Sequence, residues 1–372
     1  MRRTLVLIPC LLLLEIASGY AHQTIPIQSP APYQNQPQEA LRKIARSMGQ
    51  GVNISLLEQY WASQQQLLTT DIRPMLESIA AAGFETVRLP VAFDYFMREG
   101  STQLNEAILQ KLHDTYMNCR RLNLKLVIVY HYGKLTDQNR ETEPDRIIQI
   151  WKQVMQYMRE FSSEKLFFEL YNEPVTSAET WKQTANTIVK ALRKEDYDRI
   201  FIIGGTNYNG INELLAMGKL PVDDGKILYT FHFYEPYVFT HQGAEWTKEK
   251  TYMTGLPYPF RKRKMPELKD AAPDSEVVKE FERFPRESNY NYLYSRIKKI
   301  KADADKLNLP LICTETGVIN LANAKSKSTY LRDITGLMQQ FDIPTMLWDY
   351  NDKFGIFKEE KVIKKLKNWL KD

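Results

Sequence analysis

Leu166-Phe167-Phe168-Glu169-Leu170-Tyr171-Asn172-Glu173-Pro174 is the stretch on which the reading of this chain turns. Its apolar run leaves no face for solvent, which is the pattern of a strand in a parallel sheet covered on both sides. The run ends at a proline, and just before that stop it presents an amide and a carboxylate. Glu169 lies four residues before Glu173, so strand alternation gives both the same face and directs Glu169 into the interior. An unpaired charge there is very costly, so Glu169 needs a partner or a proton. Arg88 is one candidate partner; a protonated Glu169 bonded to a neighbouring strand is the rival.

Working outward, the same form recurs. Apolar runs at 51–56, 84–89, 124–130, 199–205, 227–233, 309–314 and 345–348 read as strands. Helical patterns lie between them, at 71–82 with Gly83 as a stop, from a cap at Asn105 through Ile108, Leu109, Leu112, Tyr116 and Cys119, and at 144–161, 178–194, 211–217, 290–307 and 328–341. A last amphipathic helix is expected at 361–370. Eight apolar strands alternating with helices predict a (β/α)8 barrel, an α/β fold in one domain. A doubly wound sheet would carry a Gly-rich phosphate turn after its first strand, and Gly51 stands alone there. The one long excursion, 235–285, follows the sixth strand and contains Pro236, Pro257, Pro259, Pro266 and Pro273. In a barrel it would sit on the C-terminal rim, where active sites are built.

Residues 1–21 read as a secretory signal, with Arg2 and Arg3 before an apolar run and Gly19-Tyr20-Ala21 as a small-x-small cleavage site. Residues 22–45, Gln- and Pro-rich at their start, read as a flexible arm, and 46–372 as the barrel. The exported product is expected to be secreted, extracellular or periplasmic, with no membrane association after signal removal. Of the three cysteines, Cys10 falls in the signal, and Cys119 and Cys313 lie on apolar faces, as buried free thiols do. The 50 basic and 45 acidic residues interleave, and the run Arg261-Lys262-Arg263-Lys264 reads as a solvated loop, so nucleic acid is not indicated as a partner. The five histidines include no helical pair of the metalloprotease kind, and neither a metal nor a cofactor is expected.

Polar residues at the ends of the predicted strands fall on one rim: Arg88, His131, Asn172 and Glu173, His232 and Tyr234, Glu315 in Thr314-Glu315-Thr316-Gly317, and Trp348. Singly, each has a plain explanation as a core or loop residue. Jointly, two glutamates on separate strand ends are what glycosidic cleavage needs, because one must give a proton while the other attacks the sugar.

In order and approximate spacing these eight positions resemble the functional residues of family 5 glycoside hydrolases, the cellulase family of clan A, over roughly residues 46–357. The resemblance implies a retaining, two-step hydrolysis with Glu173 as general acid/base and Glu315 as nucleophile. It implies that Arg88, His131, Asn172, His232, Tyr234 and Trp348 bind or orient substrate. The substrate implied is an extracellular polysaccharide or oligosaccharide, foremost β-1,4-glucan. The stretch 239–246 is similar to a rim loop of bacterial endoglucanase-like members. Mannan and other β-glucans are alternatives within the family; outside it, a non-catalytic carbohydrate-binding barrel and a metal-dependent hydrolase are the rivals. A monomer is expected. Tyr60, Trp61, Tyr95, Tyr132, Tyr208, Tyr237, Trp246 and Tyr350 are candidates to line an extended cleft.

Overall fold

In the computed structural model, which describes residues 36–250, 253–268 and 276–363, the eight apolar runs close into a barrel. The strands are β1 (Gln50–Asn53), β2 (Thr86–Val91), β3 (Lys125–Tyr130), β4 (Leu166–Glu169), β5 (Phe201–Gly204), β6 (Ile227–Phe233), β7 (Leu311–Thr316) and β8 (Thr345–Leu347). Each pairs in parallel with the next, and β8 closes on β1 through Gly51 opposite Met346. Helices Arg73–Ala81, Glu106–Arg121, Glu143–Tyr157, Ala178–Leu192, Ile211–Met217, Tyr290–Lys306 and Ala324–Gln340 follow the first seven strands. Asn105, Ser177, Asn289 and Asn323 accept from backbone N–H groups of the turn they open, which is why four of these helices begin where they do.

Alternation along the strands sorts side chains into two layers. Val127, Phe167, Ile202, Leu228, Ile312 and Met346 point inward and form an apolar floor, while the other parity packs under the helices. Above the floor lies a polar layer, Asn53, Arg88, Glu169, Thr230 and Thr314, all fully buried. The floor is sealed from below by a helix, Gln36–Ser47, whose Leu41 and Ala45 join the inward cluster together with Met48. This corrects the expected arm at 22–45: its last ten residues are helical, because Leu41, Ile44, Ala45 and Met48 at helical spacing supply one apolar stripe that the barrel bottom buries. The signal segment, the arm as far as residue 35 and most of the final helix expected at 361–370 lie outside the described residues. Within the described part of that last stretch, Lys361–Val362 is a short strand, antiparallel to Phe357–Lys358.

The described parts of the excursion after β6 are anchored on the barrel's helices. Tyr258 is buried against Phe239 and Tyr330, and Phe260 packs on Phe284. Its final stretch is the helix Glu276–Glu287, whose Val277 and Phe284 are buried. Glu235 accepts three bonds from the Arg296 guanidinium and ties the start of the excursion to helix Tyr290–Lys306. Cys119 and Cys313 are free and buried, and burial pushes the Cys119 thiol up to about 12. No helix among the described residues is long and apolar enough to cross a membrane.

Candidate active site

The site is built on Arg88. Its side chain is fully buried in mid-strand on β2, beneath the rim, and all five N–H groups have acceptors. Nε and Nη2 donate to the two oxygens of Glu169 at 2.8 Å each, Nη1 to Asn53 Oδ1 at 2.9 Å and Glu315 Oε1 at 2.7 Å, and Nη2 to Asn172 Oδ1 at 2.7 Å. One guanidinium therefore fixes residues from β1, β4 and β7 and from the turn after β4. The question raised by Glu169 is answered by the fork: the interior carboxylate is paired with Arg88. Asn53 extends the network by donating to the carbonyls of Thr314 and Leu347, both at 3.1 Å.

Glu315 reaches the mouth through an irregularity. Ile312 and Thr314 point inward, so simple alternation would turn Glu315 outward under the helices. The β6–β7 register slips there: Phe231 lies opposite Cys313, and His232 opposite Glu315. This bulge re-aims the carboxylate into the barrel mouth. Gly317 is required just beyond, since a Cβ there would come within 2.1 Å of the Trp348 carbonyl oxygen.

Glu173 sits on the turn after β4 with φ of 47°, the left-handed region. Its Oε1 is 2.7 Å from His232 Nδ1, and that nitrogen is 3.4 Å from Glu315 Oε2. One carboxylate oxygen each of Glu173 and Glu315 and one ring nitrogen of His232 all lie within 4.8 Å of one another. Tyr234 donates to Glu315 Oε2 at 2.9 Å. Burial pushes the Glu173 carboxyl up to about 7, against the opposing charge of Arg88. Burial also raises Glu315, while His232, Arg88 and the Tyr234 hydroxyl hold it down. His232 is driven down to about 4 by burial, assisted by Arg88, and is neutral near pH 7. Two carboxyls so placed can do different work, one keeping a proton to neutral pH and one held by a guanidinium.

The remaining expected residues gather here as well. His131 stacks edge-on against Tyr132 and lies beside Trp348, with ring centroids 4.2 and 6.0 Å apart. Asn172 Nδ2 lies 3.4 Å from His131 Nε2. Half-buried Trp348 packs with Tyr234 near Ile319 and Phe354. Five further residues escaped sequence reading: Asn53, Glu58, Asn209 and the hydrogen-bonded pair Ser55–Asp349. Glu58 is buried in the loop after β1, 3.1 Å from His131 Nε2, and burial together with the Glu315 charge raises its carboxyl well above the usual range. Asn53 and Ser55 left a signal, as polar residues inside the apolar run 51–56.

Of the eight aromatic candidates for the cleft, Tyr60, Trp61, Tyr132, Tyr208, Tyr237 and Trp246 are exposed. The first three form one cluster, with Tyr60 5.2 Å from Trp61 and 5.3 Å from Tyr132. Tyr350 is buried, stacked on Phe357 and hydrogen-bonded to Ser78, and Tyr95 packs on Phe96 while donating to the Ala62 carbonyl. The hydroxyls of both have protein partners.

Replacing Arg88 with Met strands Glu169 in the interior. The expected cost is about 3–5 kcal/mol of stability, read as a lower urea midpoint. In the fraction that folds, the lost charge no longer favours ionised Glu315, so the acidic limb of activity moves up in pH. A downward move would contradict the placement of Arg88.

Residues 45–354 match the family model described as cellulase (glycosyl hydrolase family 5). The chain is 30% identical over 325 residues to endoglucanase C of Acetivibrio thermocellus, covering 81% of this chain and 92% of that one. Among solved structures it is similar to a hyperthermophilic endo-β-1,4-glucanase in complex with substrate, at 23% identity, 89% and 98% coverage and a TM-score of 0.74. It is likewise similar to Cel5A of Thermotoga maritima in complex with mannotriose, at 21% identity, 88% and 99% coverage and a TM-score of 0.73.

Proposed function

Since the chain belongs to glycosyl hydrolase family 5, the cellulase family, we propose that it is a retaining endo-β-1,4-glucanase in which Glu315 is the nucleophile and Glu173 the general acid/base. The observation that carries the assignment is the approach of the two carboxylates to within 4.8 Å. Direct attack and a covalent glycosyl intermediate need a separation of about 5–5.5 Å, whereas an inverting enzyme leaves room for a water at about 6.5–9.5 Å. Glu315, held by Arg88 and Tyr234, attacks the anomeric carbon while Glu173 protonates the departing oxygen. Glu173, now ionised, then takes a proton from the water that releases the sugar.

The binding residues follow from the same geometry. Asn172 has its oxygen spent on Arg88 and presents its amide nitrogen to a sugar hydroxyl. Trp348 offers a flat apolar surface to a pyranose ring. His131 and Tyr132 continue that wall towards Tyr60 and Trp61. His232 is better placed to serve Glu173 than to bind sugar, since both of its ring nitrogens have protein partners. The enzyme acts as a monomer on polysaccharide outside the cell, its export in keeping with Arg2, Arg3 and the apolar run that follows them.

Product analysis on purified β-1,4-glucan, mannan, xyloglucan and β-1,3-glucan tests the substrate. A fast fall in viscosity with slow release of reducing ends, strongest on β-1,4-glucan, is the expected result. Preference for mannan would replace the glucan assignment, and loss of activity to a chelator would favour a metal-dependent hydrolase.

Trp246 is half exposed on the excursion after β6, with the Lys353 ammonium 4.7 Å above its ring and Phe354 beside it, both from the loop that follows Trp348. As an aromatic platform remote from the cleaved bond, it should contribute to long substrates only. Trp246→Ala is expected to weaken kcat/KM on long oligosaccharides by about 1–3 kcal/mol and leave a small aryl glycoside nearly unchanged. Equal loss on both would make the loop a support of the catalytic centre.

A further inference from the structure

Asn209, fully buried beyond the end of β5, places its side-chain Nδ2 3.1 Å from Nε2 of His232. The other ring nitrogen, Nδ1, faces Glu173 at 2.7 Å and Glu315 at 3.4 Å. One imidazole thus stands between a buried amide and both carboxylates. We propose that Asn209 is a positioning residue of the hydrolysis: by donating to Nε2 of His232 it keeps the ring proton on Nδ1, which donates it in a hydrogen bond to Glu173. What this means for the rate rests on the acid/base role assigned to Glu173, whereas the position of the ring proton does not.

A neutral imidazole carries one proton for two nitrogens. An ionised Glu315 can only accept, and so can Glu173 in its base form, so the side facing them calls for N–H. Nε2 is then a bare lone pair in a dry interior, and it needs a donor; an amide NH2 supplies one. The local chain is shaped around this contact. Asn207, Tyr208 and Asn209 all take left-handed backbone, with φ of 52°, 61° and 54°. Conformations of this kind persist only where the surroundings enforce them, and they gather at functional sites. Gly204 leaves the space, because a Cβ there would lie 2.1 Å from Asn209 Oδ1. Among the described residues that oxygen has no hydrogen-bond partner, and the one side-chain contact of the amide is the one to His232.

A donor aimed at Glu173 stabilises its carboxylate and works against the burial that favours the acid. Glu173 is then able both to give its proton in the first step and to take one in the second. The charged and titratable groups around it are Arg88 on β2, Tyr132 after β3, His232 and Tyr234 at β6, Tyr237 beyond it and Glu315 on β7. His232 is faced in addition by Glu169 and His131. The three tyrosines are raised by burial and stay neutral, and Arg88 stays charged, so the basic limb of activity follows Glu173.

Asn209→Gly removes the amide at a position whose left-handed backbone glycine adopts freely. Water reaching Nε2 then frees the ring proton to leave Nδ1, and Nδ1 can accept from protonated Glu173. The basic limb of kcat/KM is expected to move up by about one pH unit. A limb that stays in place or moves down overturns the proposal. Nitrogen NMR of the wild-type enzyme labelled at histidine, with the His232 signals identified by their loss in His232→Gln, gives a second readout that needs no variant at position 209. At neutral pH, Nδ1 should be protonated and Nε2 bare; the opposite tautomer overturns the proposal. Failure of the Glu173 assignment itself shows elsewhere, as equal losses on good and poor leaving groups in Glu173→Ala.

Discussion

Glu315→Ala is expected to fold and to lose hydrolysis by several orders of magnitude, because the covalent step has no substitute. Folding should survive: Arg88 keeps its bonds to Glu169, Asn53 and Asn172 when the Glu315 carboxylate is gone, and the vacated space opens to the cleft. Azide is small enough to enter that space. With an activated aryl glycoside it should restore turnover and yield the glycosyl azide of inverted configuration, since it attacks from the face that Glu315 occupied. Formation of ordinary hydrolysis product in Glu315→Ala without any added nucleophile would remove Glu315 from the role.

Glu173→Ala should show a different signature. On substrates whose leaving group requires protonation, the expected loss is about 10²–10⁴-fold, the usual contribution of a positioned acid. On an activated aryl glycoside the first step needs little help, so the glycosyl intermediate should still form and accumulate as its hydrolysis slows. The wild-type pH profile carries the same assignment. Glu173 must be protonated for the first step, and burial holds its carboxyl at about 7, so activity should fall as pH rises through about 7. Its acidic limb reflects Glu315, which must be ionised and is itself raised by burial. In Glu173→Ala, with an activated substrate, the basic limb should vanish. A basic limb that persists unchanged would assign the proton to another group.

The arrangement of the Arg88 layer explains why these two substitutions are informative and Arg88→Met is not a clean test. The glutamates at the mouth touch the network at its edge. Arg88 is its centre, and removing it uncovers a charge in the barrel interior. Chemistry and stability are separable at Glu315 and Glu173, and fused at Arg88.

The sequence by itself determined the alternation of eight apolar strands with helices, and hence the barrel, because fully covered strands have no polar parity and their helices carry local caps such as Asn105. It also determined which strand ends bear polar groups, and that Glu169 must be inward and in need of a partner. Where a residue's neighbours come from distant strands, the sequence was silent. Asn209 looks like any loop asparagine until β5 and β6 are side by side, and Glu58 like any loop carboxylate until it meets His131. Tyr258, Phe260 and Tyr350 have the composition of a sugar-binding wall, and packing alone turned them inward. The residues that seal the barrel bottom were hidden by a Gln- and Pro-rich approach to a short helix. The aim of Glu315 was also beyond alternation, since period two sends it outward beside Cys313. A one-residue slip against β6 reverses it, and such a slip is a property of two paired strands, not of either one alone.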